Sequence, residues 1–556
     1  MNKALDENYY DFIIDNAILP PGEMGDDITY INERHSLLHV LNMNMEVCDL
    51  GTTPYHRFPS IFTLESTISL EKSKVDEVQR NPYLALYGQG VLVGVIDTGI
   101  DYQHPVFLHA DNTSRIVSIW DQTIQDGTIP DGFSFGSEYN KELINIALQS
   151  ADPLSVVPTV DTDGHGTALA SIAAGREDVE HDFRGVVPDA ELVVVKLKEA
   201  KGNLRKIFFV PEGAVCFQES DIMLGIRYLL SVSQKLNRPL AICIGIGTSQ
   251  GGHDGHGATS SYLDDLAQTP RIGVAISAGN EGNKRRHYYS STTDANFMKD
   301  IELRIDPKDG LFSLEIWPDA PSRLAIDVIT PNGESTQWVY PQIGICNKYN
   351  FIYTQSTVWI NNIIFEEETG DQLILVRFQN PGGGVWRLRL RNVDNEVFSV
   401  HSWLPAAYLI SDDTYFLESD PNTTITSPGN ATYPLTVTAY NQYNSSILIT
   451  SSRGYTRKNI VKPDVAAPGY QQTCALPNGL FGTLSGTGGA AAHSAGIIAM
   501  VLEWAVTRGN YTSITGIDIN RLIIRGADRS EDYTYPNNVW GYGQIDVDGL
   551  FSRLAI

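Results

Sequence analysis

Three short segments hold the residue types that chemistry needs. Val95-Ile96-Asp97-Thr98-Gly99-Ile100-Asp101 ends an apolar run on a carboxylate and turns on a glycine. Asp163-Gly164-His165-Gly166-Thr167-Ala168-Leu169-Ala170 places a histidine between glycines at the head of a small-residue helix. Leu484-Ser485-Gly486-Thr487-Gly488-Gly489-Ala490-Ala491-Ala492-His493-Ser494-Ala495-Gly496 is a glycine turn feeding an apolar helix. A carboxylate that orients an imidazole, an imidazole that acts as base, and a helix-opening turn are the frame of nucleophilic acyl transfer. A lone Asp or His is commonly structural; three such segments in the order Asp, His, turn are far more specific.

The elements that must position these residues are legible nearby. Val91–Ile96, Leu192–Val195 and Val274–Ser277 are unbroken apolar or small-residue runs, separated by helix-like stretches over Ser220–Lys235 and Gly257–Gln268. Such runs alternating with helices predict a parallel sheet buried on both faces. Ligands of such sheets bind beyond the carboxyl ends of the strands, where Asp97 stands. Between residues 300 and 425 the pattern changes. Ile301–Ile305, Phe312–Trp317 and Trp386–Leu390 alternate apolar and polar, with turns at Pro331-Asn332-Gly333 and Asn380–Gly384. That predicts an inserted antiparallel sandwich. Residues 1–66 form a separate N-terminal unit with strands at Tyr9–Ile14 and Phe58–Phe62, and Glu65–Arg80 reads as a linker leading into a helix. The α/β pattern occupies 67–299 and resumes over 426–556.

Composition narrows the function classes. The chain has 556 residues, 40 Lys+Arg against 66 Asp+Glu, and a formal charge of −26. An acidic surface repels phosphate backbones, so no nucleic-acid partner is expected. The five cysteines are widely spaced and without a C-x-x-C pair, which predicts buried, reduced thiols and neither zinc nor a disulfide framework. His253, Asp254 and His256 lie close together in a glycine-rich loop that reads as solvated, and no calcium-loop ligand series stands out; no metal or cofactor is expected. The acidic N-terminus lacks the apolar core of a secretory signal, and no uninterrupted apolar run reaches the roughly 18 residues of a membrane span. Synthesis in the cytoplasm, without a span, is the expectation.

The three segments resemble those of the subtilisin-like serine proteases (subtilases). Ser277-Ala278-Gly279-Asn280-Glu281-Gly282 is similar to that family's oxyanion-hole segment, and Ser451–Gly454, Lys462–Gly469 and Gly541–Gly543 to further landmarks. The resemblance covers roughly residues 90–295 and 425–550. It implies a subtilisin-like α/β fold with a small α+β prodomain and an inserted, jelly-roll-like β domain. It also implies that Asp97 and His165 are the triad acid and base, Asn280 the oxyanion donor, and Gly245 and Gly247 part of the substrate groove. The insertion, the N-terminal unit and Thr248–Gly255 look like the Csp germination proteases of clostridial spores. That group holds both an active protease that activates a cortex-degrading hydrolase and inactive, CspC- or CspA-like regulators.

Departures from the family pattern set the functional expectation. Where subtilases have Gly-Thr-Ser-Met-Ala-x-Pro-His, this chain has Gly488 at the nucleophile position, then Gly489 and Ala490, with Ala492 in place of proline. Glycine has nothing to acylate, and losing a triad serine costs about 10⁶ in kcat. Ala168 replaces a usual histidine and Gly245 a usual serine. Ser485 and Thr487 carry hydroxyls, but on a tight turn each points away from the direction of residue 488. The expectation is a pseudoprotease regulating spore germination, spore-associated, with an uncut prodomain in the groove. Its partners would be related germination proteases, a cortex hydrolase precursor or a small-molecule germinant. The alternatives are an endopeptidase with an unorthodox nucleophile, which would cut near residues 60–70, and a binding protein acting through the β insertion. Asp97 and His165 are then either vestigial catalysts or a buried pair that stabilises the fold, and Asn280 either an oxyanion donor or a cap on local backbone.

Overall fold

A computed structural model describes residues 2–19, 25–41, 47–50, 53–66, 79, 84–292, 297–406 and 408–553. The predicted linker from Glu65 to Arg80 falls almost entirely outside them.

The buried apolar runs pair as the sequence requires. Leu435–Asn441, Ile272–Ser277, Leu240–Ile244, Leu92–Asp97, Glu191–Lys196 and Ile116–Asp121 lie side by side in that order, all parallel. Ser137–Asn140 and Ser446–Ile447 add antiparallel ends, and Val465–Pro468 pairs in parallel with Leu435–Asn441. Successive side chains of Leu92–Asp97 serve opposite cores. Leu92 and Ile96 pack with Ile222, Ile226 and Leu229 of helix Glu219–Leu236. Val93 and Val95 pack with Leu169 of helix His165–Ala174 and Ile498 of helix Thr487–Leu502. Gly94 has no side chain because a Cβ there would stand 2.6 Å from Leu229, so the helix lies directly on the strand.

Helix Thr487–Leu502 carries the third chemical segment. The stretch Thr487–Thr507 is long and apolar enough to cross a membrane by length and composition, although His493, Ser494 and Glu503 interrupt its apolar run. Its most apolar window is 89% buried, against strands Leu240–Ile244 and Ile272–Ser277 and helix His165–Ala174. Its apolarity is that of a central core helix covered on every side.

The N-terminal residues form a three-stranded antiparallel sheet, Tyr9–Asp15 beside His35–Leu41 beside Ile28–Tyr30. The expected α+β character is not met: among the described residues before Ser66 there are strands and three short 3-10 turns, and no α-helix. The expected strand over Phe58–Phe62 is shifted to Ile61–Leu64, after a 3-10 turn at Tyr55–Arg57. This strand leaves its own sheet and inserts antiparallel between Ile246–Gly247 and Phe217–Gln218.

Two antiparallel sheets of six and four strands build the β-rich segment. They begin at His287–Ser291, earlier than residue 300 as the sequence suggested. Their facing side chains, among them Ile301, Leu303, Leu314, Ile316, Trp386 and Leu388, make one core. The outer face of the larger sheet makes another: Trp317, Leu375 and Trp403 pack with Tyr10, Phe12 and Phe58 of the N-terminal unit and with Phe208. An acid also sits in this seam. Glu315 accepts hydrogen bonds from the Tyr55 hydroxyl, from Gly251 N–H at 2.9 Å and from Trp317 Nε1 at 3.0 Å. Burial pushes its carboxyl above the ordinary range, against those donors.

The cysteine expectation fails at one pair. Cys48 of the N-terminal unit and Cys346 of the β-rich segment form a disulfide across 298 residues of sequence, while Cys216, Cys243 and Cys474 are free and buried. Spacing along the chain holds no trace of a bond made by packing two distant units together. Alkylating the denatured, unreduced chain is expected to label three cysteines, and five after reduction; five before reduction would contradict the bond.

Candidate active site

Each predicted site residue is placed by a turn whose geometry the sequence demands. Asp97 ends its strand at the carboxyl edge of the sheet, fully buried, and accepts Thr98 N–H at 2.8 Å. His165 opens its helix after Gly164, whose φ of +93° is the left-handed conformation glycine takes without strain. Gly166 is fixed by packing, since a Cβ there would meet the Gly99 carbonyl at 2.3 Å. Asp161 binds the start of the helix, accepting Gly164 N–H, Thr167 N–H and the Thr167 hydroxyl at 2.6–2.9 Å.

These supports bring the imidazole and carboxylate together: His165 Nδ1 lies 2.8 Å from Asp97 Oδ1, both groups buried. Burial alone would lower the His165 pKa, but the charge and hydrogen bond of Asp97, with Asp163 and Asp161 behind, raise it above the ordinary value. Nε2 therefore needs a partner. It finds one in the hydroxyl of Ser66, the residue that follows the inserted strand.

That strand enters as a substrate would. Glu65 N–H donates to the Gly245 carbonyl at 3.1 Å. The Glu65 carbonyl oxygen accepts from Gly488 N–H at 3.0 Å and from the Asn280 side-chain amide. Asn280 is held in turn through Oδ1, which accepts Thr487 N–H at 3.2 Å. A carbonyl clasped by a side-chain amide and a helix-N-terminal N–H is in an oxyanion hole. The sequence placed Asp97, His165, Gly488, Asn280, Gly245 and Gly247 around one centre, and they meet there. It did not place Glu65 and Ser66 there; the one signal available was that the linker begins at those residues.

Two glycines make the occupant fit: a Cβ at Gly247 would stand 2.1 Å from Glu65 Oε1, and one at Gly488 would lie 2.7 Å from Ser66 Oγ. A Cβ at Gly245 would instead press on Leu169 at 2.5 Å. Absence of a side chain at 488 thus makes room for Ser66. The other hydroxyls of the turn are committed elsewhere: Thr487 Oγ1 accepts Gly279 N–H at 3.1 Å and Ser485 Oγ accepts Gln471 N–H at 2.9 Å. The side chains of the loop at His253 and Asp254 are engaged within the protein. His253 sets its ring nitrogens 2.7 and 3.0 Å from the carbonyls of Ile425 and Ser249 and stacks on Trp403; Asp254 is ion-paired with Arg457 at 3.1 Å. His253 is buried rather than solvated, contrary to expectation.

The Glu65 side chain fills the pocket next to the carbonyl. Its carboxyl accepts the Ser277 hydroxyl and, at 2.5 Å, the Thr426 hydroxyl. No cation touches it among the described residues, and burial pushes its pKa up to about 8, the negative charge of Glu281 adding to the rise while the two hydroxyls and His165 oppose it. A carboxyl raised in the seated state is held best when neutral. Seating is therefore strongest below the ordinary carboxylate range and weakens as pH rises from there towards 8. Glu65→Gln keeps the shape and removes the titration. Between pH 5 and 8 wild type should lose stability relative to Glu65→Gln, by on the order of a few kcal/mol in total; parallel thermal-melting profiles across that range would contradict the buried, unpaired carboxyl.

Known proteins share this architecture. A model of the subtilase family matches residues 88–299 and 412–543. Among solved structures, the CspB protease of Clostridium perfringens superposes with a TM-score of 0.76 at 28% identity, covering 86% of this chain and 97% of that one. Subtilisin-like protease SBT3 of Solanum lycopersicum is 26% identical over 85% of this chain, and the C5a peptidase of a Streptococcus pyogenes strain 22% identical over 83%. The chain spans 64% and 40% of those two proteins.

Proposed function

The chain belongs to the subtilase family, and from that premise we propose that it is a pseudoprotease, a member that binds peptide in its groove without cleaving it in trans. One observation carries the reading: position 488 has no side chain, while the N–H groups that would stabilise a transition state are filled by the chain's own Glu65 carbonyl. Asp97 and His165 then act as a buried, hydrogen-bonded pair that holds Ser66, and Asn280 as a ligand of backbone. The disulfide to Cys346 ties residues 1–65 to the body independently of the chain through the linker.

The biological role we attach to this is control of spore germination. Likeness to the C. perfringens CspB protease over 86% of this chain supports it. In this role the protein would be spore-associated. It would bind a related germination protease, a cortex hydrolase precursor or a small germinant, and its groove would recognise rather than cut. The competing reading, an endopeptidase with an unorthodox nucleophile, needs a free hydroxyl on the enzyme side of the groove. Ser485 and Thr487 are both engaged with backbone N–H groups.

The test is turnover of a separate peptide copying Ile61–Glu65 with an amide-linked reporter, carrying no hydroxyl, in place of Ser66. Wild type should release none above the rate of His165→Ala; His165-dependent turnover would overturn the proposal. Gly488→Ser alone should recover little, because its Cβ would crowd Ser66 Oγ at 2.7 Å. Gly488→Ser combined with Ser66→Gly should recover more, read as cutting of the chain itself after Glu65. Full peptide turnover by the single variant would show the decay to be confined to one residue.

A further inference from the structure

The site lacks a hydroxyl on residue 488 but not a hydroxyl. Ser66 Oγ is hydrogen-bonded to His165 Nε2, His165 Nδ1 to Asp97, and the carbonyl preceding Ser66 is the one held by Asn280 and Gly488. All the parts of an acyl-transfer centre converge on one peptide bond, Glu65–Ser66, with the hydroxyl supplied from the leaving side of that bond. A hydroxyl so placed is one residue from the carbonyl carbon and reaches it through a five-membered ring.

We infer that the Glu65–Ser66 bond undergoes an N→O acyl shift, which lets the chain cut itself once, in cis, without a nucleophile of its own in the third segment. The inference rests on the reading that residue 488 contributes no nucleophile, and it goes beyond it. The chemistry balances without a cofactor. Ser66 Oγ gives its proton to His165 Nε2 and adds to the Glu65 carbonyl carbon. The resulting oxyanion is held by Asn280 Nδ2 and Gly488 N–H. Collapse breaks the C–N bond, and His165 returns the proton to the Ser66 nitrogen, leaving an ester between the Glu65 acyl group and Ser66 Oγ and a free amine on Ser66. Water then hydrolyses the ester, giving a carboxyl terminus on Glu65 and restoring the Ser66 hydroxyl. A cavity of about 390 Å³ beside the bond, bounded by Glu65, Ser66, Asn280, Tyr408 and Gly486, has room for that water.

This separates two properties that the sequence alone ties together. Inertness in trans follows from Gly488, since a separate peptide finds no enzyme hydroxyl; a cut between 65 and 66 follows from Ser66. With Cys48–Cys346 intact the two pieces stay joined, so they separate only after reduction.

The test is mass spectrometry of the full chain, incubated at neutral pH, then denatured and reduced, with and without hydroxylamine during incubation. Wild type should yield a fragment ending at Glu65 and one beginning at Ser66, with a Glu65 hydroxamate when hydroxylamine traps the ester. Ser66→Ala should yield neither, with an unchanged circular dichroism spectrum showing that the chain is folded. Ser66→Cys should pass through a thioester and give the hydroxamate again. His165→Ala and Asn280→Ala should each slow the cut by about 100-fold or more. The inference is overturned if neither wild type nor Ser66→Cys yields fragment or hydroxamate, or if Ser66→Ala is cut at the wild-type rate. Turnover of a separate peptide would instead overturn the pseudoprotease reading, so the two failures are distinguishable.

Discussion

The position of one carbonyl oxygen, that of Glu65, organises this molecule. It is held by Gly488 N–H and the Asn280 amide, and seating it fixes what lies on either side. Upstream, the strand Ile61–Leu64 must lie between Ile246–Gly247 and Phe217–Gln218. Downstream, Ser66 must meet His165. To one side, the Glu65 carboxyl must be buried, at an electrostatic cost that two hydroxyls only partly offset. The N-terminal unit behaves as a ligand built into the chain, its approach set by the aromatic seam with the β-rich segment and by the bond between Cys48 and Cys346.

Position 488 and the occupant of the groove are physically coupled. A side chain at Gly488 would meet Ser66 Oγ, as one at Gly247 would meet the Glu65 carboxyl. The bare Gly488 is therefore what lets the hydroxyl of Ser66 take the open nitrogen of His165. The Nε2 of a histidine buried beside Asp97 would otherwise lack a hydrogen-bond partner. Placing a serine at 488 would alter the fit of the occupant as well as add a hydroxyl, so one substitution cannot separate the two effects.

Much of this was legible in residue order. The apolar runs at 91–96, 192–195 and 274–277 named the parallel sheet because both of its faces are covered by helices, and the period-two alternation at 301–305 and 386–390 named a sheet with one covered face. Asp97, His165, Asn280 and Gly488 stood out because each needs a particular glycine turn beside it. What stayed hidden depends on approach in space. Cys48 meets Cys346 across 298 residues. His253 in a glycine-rich loop read as solvated and is instead stacked under Trp403. Ser66 is an ordinary serine until its strand is placed against His165; no spacing rule announces a residue that completes a site from the substrate side.

Hydrogen exchange of the intact chain, read by mass spectrometry over residues 58–66, tests the central claim most directly. If Glu65 is seated, its N–H is bound to Gly245 and its strand is paired on both edges. The amides of Phe62 to Glu65 should then exchange as slowly as those of the central strand Leu240–Ile244. Exchange at the rate of an open chain, with the central strand still protected, would mean that the groove is empty and that the account built on its occupant is wrong.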